Sequence, residues 1–374
     1  MDTCDVLIAG GGPAGAACAW KLRREGLDVI VLDKAIFPRD KVCAGWITPQ
    51  VIDDLRIDPA EYRQGRTFQP ITAFRVGRIG AGETVDVAYD RPVSFGIRRC
   101  EFDHYLLRRS DARLLLGAPV ASIRRKGAQW IVNETIKAPM LVGAGGHFCP
   151  VARMLNGRAD RAALIAAQEV EFAIDPRETS AFTAAGDKPE LYFCPDLKGY
   201  GWCFRKQDYL NIGFGRLGPH ALPRASTEFL DFLKARHTIP ADGSWRWRGH
   251  AYLFSGPACR RAVGDAVMLV GDAAGLAYPQ SGEGIWPAIE SGLIAASTLL
   301  EANGRYTRDR LEPYASHLRK RFGVRPLAHL LSRAVPPGVA AAAARRLLDR
   351  PWFVRHVVLD RWFLHAHEPA LTLS

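Results

Sequence analysis

Residues 5–15, DVLIAGGGPAG, restrict the fold more tightly than any other stretch of the chain. The apolar run ends in Gly10, Gly12 and Gly15, spaced as GxGxxG, and Ala16–Arg24 then have helical composition. Asp28–Leu32 follow as the β-branched run of a buried parallel strand. Together these predict the strand, turn, helix and strand of a Rossmann-like nucleotide-binding unit. Gly10 permits the tight turn, Gly12 lets the backbone approach a pyrophosphate, and Gly15 lets the helix lie close to the strand. The helix N-terminus, with Pro13 and Ala14, offers free amides to the anion. Asp33, ahead of Lys34, stands directly after the second strand and 18 residues beyond Gly15, where a carboxylate can accept bonds from both ribose hydroxyls.

A chain of 374 residues is too long for one ordinary core, so two interleaved domains, or one α/β unit carrying an insertion, are expected. A formal charge of +11 favours anionic partners, among them a dinucleotide, a phosphorylated substrate or a membrane surface. No nucleic-acid reading module is visible, so nucleic acid is not expected. The eight cysteines never form a CxxC pair, which suggests neither a zinc site nor a redox dithiol. The first apolar run is too short for a signal peptide, and nothing approaches the roughly 18 apolar residues of a membrane span. A cytoplasmic protein, soluble or peripheral to a membrane, is the expectation.

A second glycine-rich segment lies far downstream. Residues 266–285 read AVMLVGDAAGLAYPQSGEGI, an apolar strand ending at Gly271 and Asp272, then Pro279, Gly282 and Gly284 before a long helix that starts at Ile285. Free amides at that helix start suit the negative charge of a reduced flavin ring. Asp272 would reach the ribityl chain or the pyrophosphate through water.

This pairing of an early GxGxxG with GDAAGLAYPQSGEGI resembles the FAD-dependent monooxygenase and reductase superfamily. KVCAGW, GYGWCF with LNIGFG, and SGEGIWPAIESG resemble most closely the geranylgeranyl reductase family, over roughly residues 4–300. The resemblance implies tightly but non-covalently bound FAD and NAD(P)H or a small electron carrier as transient donor. It puts Arg99, in RRCEFDHYLL, near the flavin, with Phe102–Leu107 on a helix, and Val120 beside the adenine. One departure concerns Gly143–Arg153, GAGGHFCPVAR, where Gly145 replaces the family's aspartate and Cys149 its serine. The loop is still expected beside the cofactor.

FPRDKVCAGW, residues 37–46, is implied by the resemblance to lie above the flavin face, bringing Arg39, Cys43, Ala44 and Gly45 to the cofactor. Cys43 could be a reactive thiolate, a proton donor to the substrate carbon opposite the hydride, or a small apolar filler. Arg39 and Lys41 could bind a phosphate of FAD or of the substrate, or be solvated loop charges.

Short β-like runs between Pro70 and Phe95 and between Leu164 and Phe254 predict an antiparallel substrate sheet. Tyr192, Tyr200, Trp202, Phe204 and Phe214 are the candidate lining of an apolar pocket. Arg205 stands where the family usually has proline, and no WxWxIP motif of halogenases is present. After Arg305 the chain turns helical and basic, and its interleaved arginines and aromatics admit peripheral contact with anionic lipid or packing on the protein itself. The expected division is a discontinuous FAD-binding domain (1–68, 98–160, 256–304), a substrate-binding domain (69–97, 161–255) and a helical region (305–374). The implied reaction is reduction of carbon–carbon double bonds in an isoprenoid or similar hydrophobic molecule. Flavin-dependent hydroxylation or epoxidation of an aromatic or polyketide substrate, and a non-catalytic flavin-binding redox module, remain the alternatives.

Overall fold

A computed structural model of the chain describes residues 1–157, 164–217, 221–253, 260–278, 281–322 and 345–368, with Ala342 and Leu371. The strand Val6–Ala9 pairs in parallel with Val29–Asp33 on one side and with Met140–Gly143 on the other. Arg113–Leu116 and Val267–Leu269 extend this sheet in parallel at its two ends, and Val263–Gly264 closes it antiparallel. Val6, Leu7 and Ile8 are fully buried, between the helix Pro13–Arg24 and a small separate sheet that includes Gln129–Val132 and Ile136–Ala138, which explains a continuous apolar run in place of alternation. The resulting α/β arrangement is Rossmann-like.

Two helices from distant parts of the chain lock against each other beneath this sheet. Pro13–Arg24 follows the glycine turn, and Ile285–Ala302 follows the late SGEG loop. They cross so closely at Gly292 that a Cβ there would lie 2.3 Å from the Ala14 carbonyl oxygen. Only glycine fits.

Runs from both middle segments join one seven-stranded sheet, ordered Arg248–Leu253, Leu164–Ala173, Tyr209–Leu217, Gly199–Lys206, Glu190–Phe193, Ala73–Arg78 and Thr84–Ala88, while Gln69–Ile71 and Ser94–Gly96 pair with Trp46–Ile47 in a separate three-stranded sheet. All pairings of the seven-stranded sheet are antiparallel except Glu190–Phe193 against Ala73–Arg78, which come from separate stretches of chain and meet in parallel. One face of this larger sheet packs on the helix Leu222–Ala235 through Tyr192, Phe214 and Phe229. The opposite face turns toward the Rossmann-like unit.

The C-terminal segment packs on that second face. Pro351–Phe353 begins a helical stretch that continues as π-helix over Val354–Phe363. Val354, Val358, Leu359 and Phe363 are buried, and the Phe363 ring meets Tyr200 at 5.3 Å and Trp46 at 5.9 Å between centroids. Trp352, at 68% exposure, stays outside. Among the described residues, no helix is long and apolar enough to cross a membrane. Phe363→Ala should destabilise the fold by about 3–5 kcal/mol, because it opens a cavity under Tyr200, Trp46 and Phe193; denaturant unfolding measures it.

Candidate active site

The two glycine-rich segments and the Cys43 loop converge on one cleft of about 990 Å³. At one end it is lined by Gly10, Gly12, Pro13, Ala14, Asp33 and Lys34, with Val120 and Gly145 across from them. Gly10 has φ +125°, and a Cβ would lie 2.3 Å from the Ala144 carbonyl oxygen. Gly15 lies behind the cleft wall, where a Cβ would come 1.9 Å from the Gly10 carbonyl oxygen. At Gly12 the situation reverses. A Cβ there would meet nothing nearer than Arg39 Nη2 at 3.7 Å, so the glycine leaves open space in front of the helix N-terminus. That space, the amides behind it and the cationic Arg39 and Lys41 fit the pyrophosphate of FAD. Asp33 accepts from the Gly11 N–H at 2.7 Å and the Ala35 N–H at 2.8 Å, which fixes the carboxylate at the cleft edge.

The middle of the cleft belongs to the Cys43 loop and the late glycine segment. Asp272, Gly282, Gly284 and Ile285 line it; Gly271, at φ +59°, is buried behind, and Pro279 lies outside the described residues. The helix Ile285–Ala302 does not leave all its first amides free, as the sequence suggested. Glu283 turns back and its Oε1 accepts from the Trp286 N–H at 2.8 Å. Burial pushes the Glu283 carboxyl up to about 8. The helix start therefore carries a neutral acid at neutral pH.

Arg99 is buried and bidentate to Asp103, with both bonds at 2.8 Å, and Arg39 reaches the same carboxylate at 3.0 Å. Burial opposes the Arg99 charge, yet Asp103 and the nearby Cys43 thiol, which hydrogen-bonds with it, hold it above the ordinary guanidinium range. Lys41 is driven down to about 8, chiefly by burial, with Asp272 opposing and Arg99 and Arg39 adding to the shift. Gly45 has φ +69°, and a Cβ there would lie 2.4 Å from the Ile97 carbonyl oxygen.

At the far end the seven-stranded sheet forms the floor. Register places Phe193 opposite Tyr200, Tyr200 opposite Gly215, and Gly215 opposite Ala167, a row across four strands. Aromatics stand at one end of this row and glycine and alanine at the other, which leaves an apolar trough over the small residues. A Cβ at Gly213 would lie 2.0 Å from the Trp202 ring, so that glycine makes room for the indole, whose Nε1 donates to Asn211 at 2.7 Å.

Of the five candidate pocket aromatics, Tyr200 and Trp202 line the cleft. The other three do not reach it. Tyr192 and Phe214 have the wrong parity: both pair with Gly201 and point to the opposite face, against Phe229. Phe204 shares the parity of Tyr200 and Trp202 but lies under Trp46, at 6.1 Å between ring centroids, and is fully buried. Trp46, Phe193 and Leu197 line the cleft in their place. Alternation along each strand would have separated the two faces, had the pairing register been known. Cys149, the family's serine, is buried with its sulfur 3.3 Å from where a Gly145 Cβ would stand.

Among the described residues no three His, Cys, Asp or Glu side chains cluster to hold a metal ion, and all seven described cysteines are free thiols.

Residues 5–84 match the FAD dependent oxidoreductase family model. Menaquinone reductase of Mycobacterium tuberculosis is 31% identical over 351 residues, covering 86% of this chain and 81% of that protein. The chain belongs to the geranylgeranyl reductase family of FAD-dependent oxidoreductases. Another member, digeranylgeranylglycerophospholipid reductase 3 of Methanosphaera stadtmanae, is 28% identical over 343 residues, covering 85% of this chain and 84% of its own. Among solved structures, a geranylgeranyl bacteriochlorophyll reductase-like protein of Thermoplasma acidophilum shares the fold at TM-score 0.73 and 19% identity, covering all of this chain and 94% of that one. Halogenase PltM with bound FAD shares it at TM-score 0.69 and 18% identity, over 97% and 85%. The chain is thus an FAD-dependent oxidoreductase, and the residues of this cleft fit FAD.

Proposed function

We propose that this FAD-dependent oxidoreductase reduces carbon–carbon double bonds in the prenyl chain of a hydrophobic isoprenoid. The observation that carries this reading is the apolar trough of Phe193, Tyr200, Gly215 and Ala167, which continues from the cofactor end past Cys43. A long hydrocarbon fits a floor that is aromatic along one side and small along the other. The relatives named above act, by their names, on menaquinone and on a digeranylgeranyl phospholipid, molecules that share an unsaturated prenyl chain.

FAD, when bound and reduced, supplies a hydride. The chain's own part is to hold the double bond against it and to deliver the proton. Trp202 and Tyr200 fix the chain from below, and Trp46 closes the trough at the loop. Cys43 occupies the junction between the cofactor and substrate parts of the cleft, and its thiol can give its proton to the second carbon. Arg99 then faces the thiolate. The electron donor in this reading is NAD(P)H or a small electron carrier that binds transiently, and Trp352 together with the basic C-terminal segment admits peripheral contact with an anionic membrane.

Dithionite-reduced protein mixed anaerobically with a prenylated lipid should yield a product heavier by two hydrogen atoms, read by mass spectrometry. An oxygenated product formed only in air, coupled to NAD(P)H oxidation, would overturn the reading in favour of a monooxygenase.

A further inference from the structure

A second cavity, of about 280 Å³, lies behind the Cys43 loop and, among the described residues, shares with the main cleft Asp40, Lys41, Cys43 and Arg99. Cys43 is therefore a wall common to both. The remaining lining is mostly polar and charged, with Glu169, Glu171, Arg98 and Arg248 among it. This separation matters chemically. A prenyl chain in the trough excludes water from the front of Cys43, so a thiolate formed there has to recover its proton from elsewhere.

Glu169 lines that cavity and is held against the Cys43 backbone from it. Its side chain is nearly buried, and Oε2 accepts the Cys43 N–H at 2.5 Å and lies 3.4 Å from Asn211 Nδ2. Asn211 also donates to the Cys43 carbonyl at 3.2 Å, so the loop is held from both backbone groups. Lys206, fully buried, donates to the Ala44 and Ile97 carbonyls at 2.9 and 3.0 Å and to Glu171 at 2.5 Å. The charged groups facing Glu169 are Lys206 and Asn211's neighbour Glu171 on the sheet, and Arg248 opposite it on the edge strand. Around the cavity stand Asp40, Lys41, Arg98, Arg99, Cys100 and Tyr209. Burial, then Glu171, raises the Glu169 carboxyl against the pull of Lys206, the Cys43 N–H and Asn211, leaving it at about 7. Such a group both holds and releases a proton near neutral pH.

We propose that Glu169 and the second cavity form a proton inlet to Cys43, separate from the substrate cleft. The inlet rests on the reading of Cys43 as proton donor. The Cys43 S–H bond breaks as its proton passes to the substrate carbon, and the hydride comes from reduced flavin. The thiolate, beside Arg99, takes the proton of the Glu169 carboxylic acid. The Glu169 carboxylate is then protonated by water in the second cavity, so the net intake is one solvent proton. Glu169 is a positioning and relay residue and does not touch substrate.

Alkylation of Cys43 by iodoacetamide in the full-length protein tests the inlet without turnover, because the rate follows the thiolate fraction. The Cys43 peptide is followed by mass spectrometry across a pH series. Wild-type protein should show an inflection around neutral pH, where Glu169 becomes charged and suppresses the thiolate, besides that of the thiol itself. Glu169→Gln keeps an acceptor for the Cys43 N–H; it should lose the lower inflection and alkylate about tenfold faster above neutral pH. In turnover it should lower kcat about tenfold with KM and FAD content unchanged, and Glu169→Asp should recover part of the loss. Superimposable alkylation profiles overturn the inlet even if Cys43→Ala is slow. Normal turnover by Cys43→Ala would remove the donor reading and the inlet with it. Should Glu169→Gln fail to fold, a single inflection in wild-type protein overturns the inlet on its own.

Discussion

Cys43→Ala is expected to slow reduction of the prenyl double bond at least about 100-fold while FAD remains bound, since positioned proton donors contribute roughly 10²–10⁴. The substitution is small and local. The Cys43 N–H still meets Glu169, the carbonyl still meets Asn211, and Lys206 still holds Ala44, so the loop keeps its place. What disappears is the one thiol, among the described residues, on the wall between the trough and the second cavity. Single-turnover reduction by prereduced protein, compared with the bound flavin spectrum, separates lost chemistry from lost cofactor. An unchanged rate would assign Cys43 to packing alone.

Gly12→Leu should abolish FAD retention without unfolding the chain. Gly12 has φ −72°, which any residue adopts, and its Cβ direction opens into the cleft. A leucine there occupies the space in front of the first helical amides, where the pyrophosphate would lie, and overpacking by that much side chain costs about 1–3 kcal/mol or more. Affinity for FAD should fall by roughly 100-fold, measured by titration of flavin-free protein, with the unfolding midpoint close to wild type. The contrast with Gly10 and Gly15 is informative. Their Cβ atoms would strike backbone, so replacements there should damage the fold before any cofactor is offered.

The Rossmann-like unit was legible in the sequence because its signals are local. Strand, glycine turn, helix and Asp33 follow one another within about thirty residues, each with its own steric or electrostatic reason. The late Asp272 and SGEG segment was equally plain. What the sequence hid came from pairing across long separations. Tyr192 and Phe193 are neighbours in sequence, yet only register against Tyr200 shows that Phe193 faces the cleft and Tyr192 the opposite core. Nothing in the sequence sets Glu169 apart; pairing with Tyr209–Leu217 brings Asn211 beside it and the Cys43 loop above. The occupied amides at Ile285–Ala302 followed from Glu283 folding back, a choice that composition alone does not reveal.

The Tyr200 hydroxyl, on the substrate sheet, donates to the carbonyl of Ser281, on the loop that carries Gly282 and Gly284. A chain settled against Tyr200 in the proposed reaction would therefore meet a side chain tied to the loop that lines the cofactor part of the cleft. Linkage makes such influence mutual: if a docked lipid strengthens the grip on the yellow cofactor by some factor, the cofactor must tighten lipid docking by the same factor.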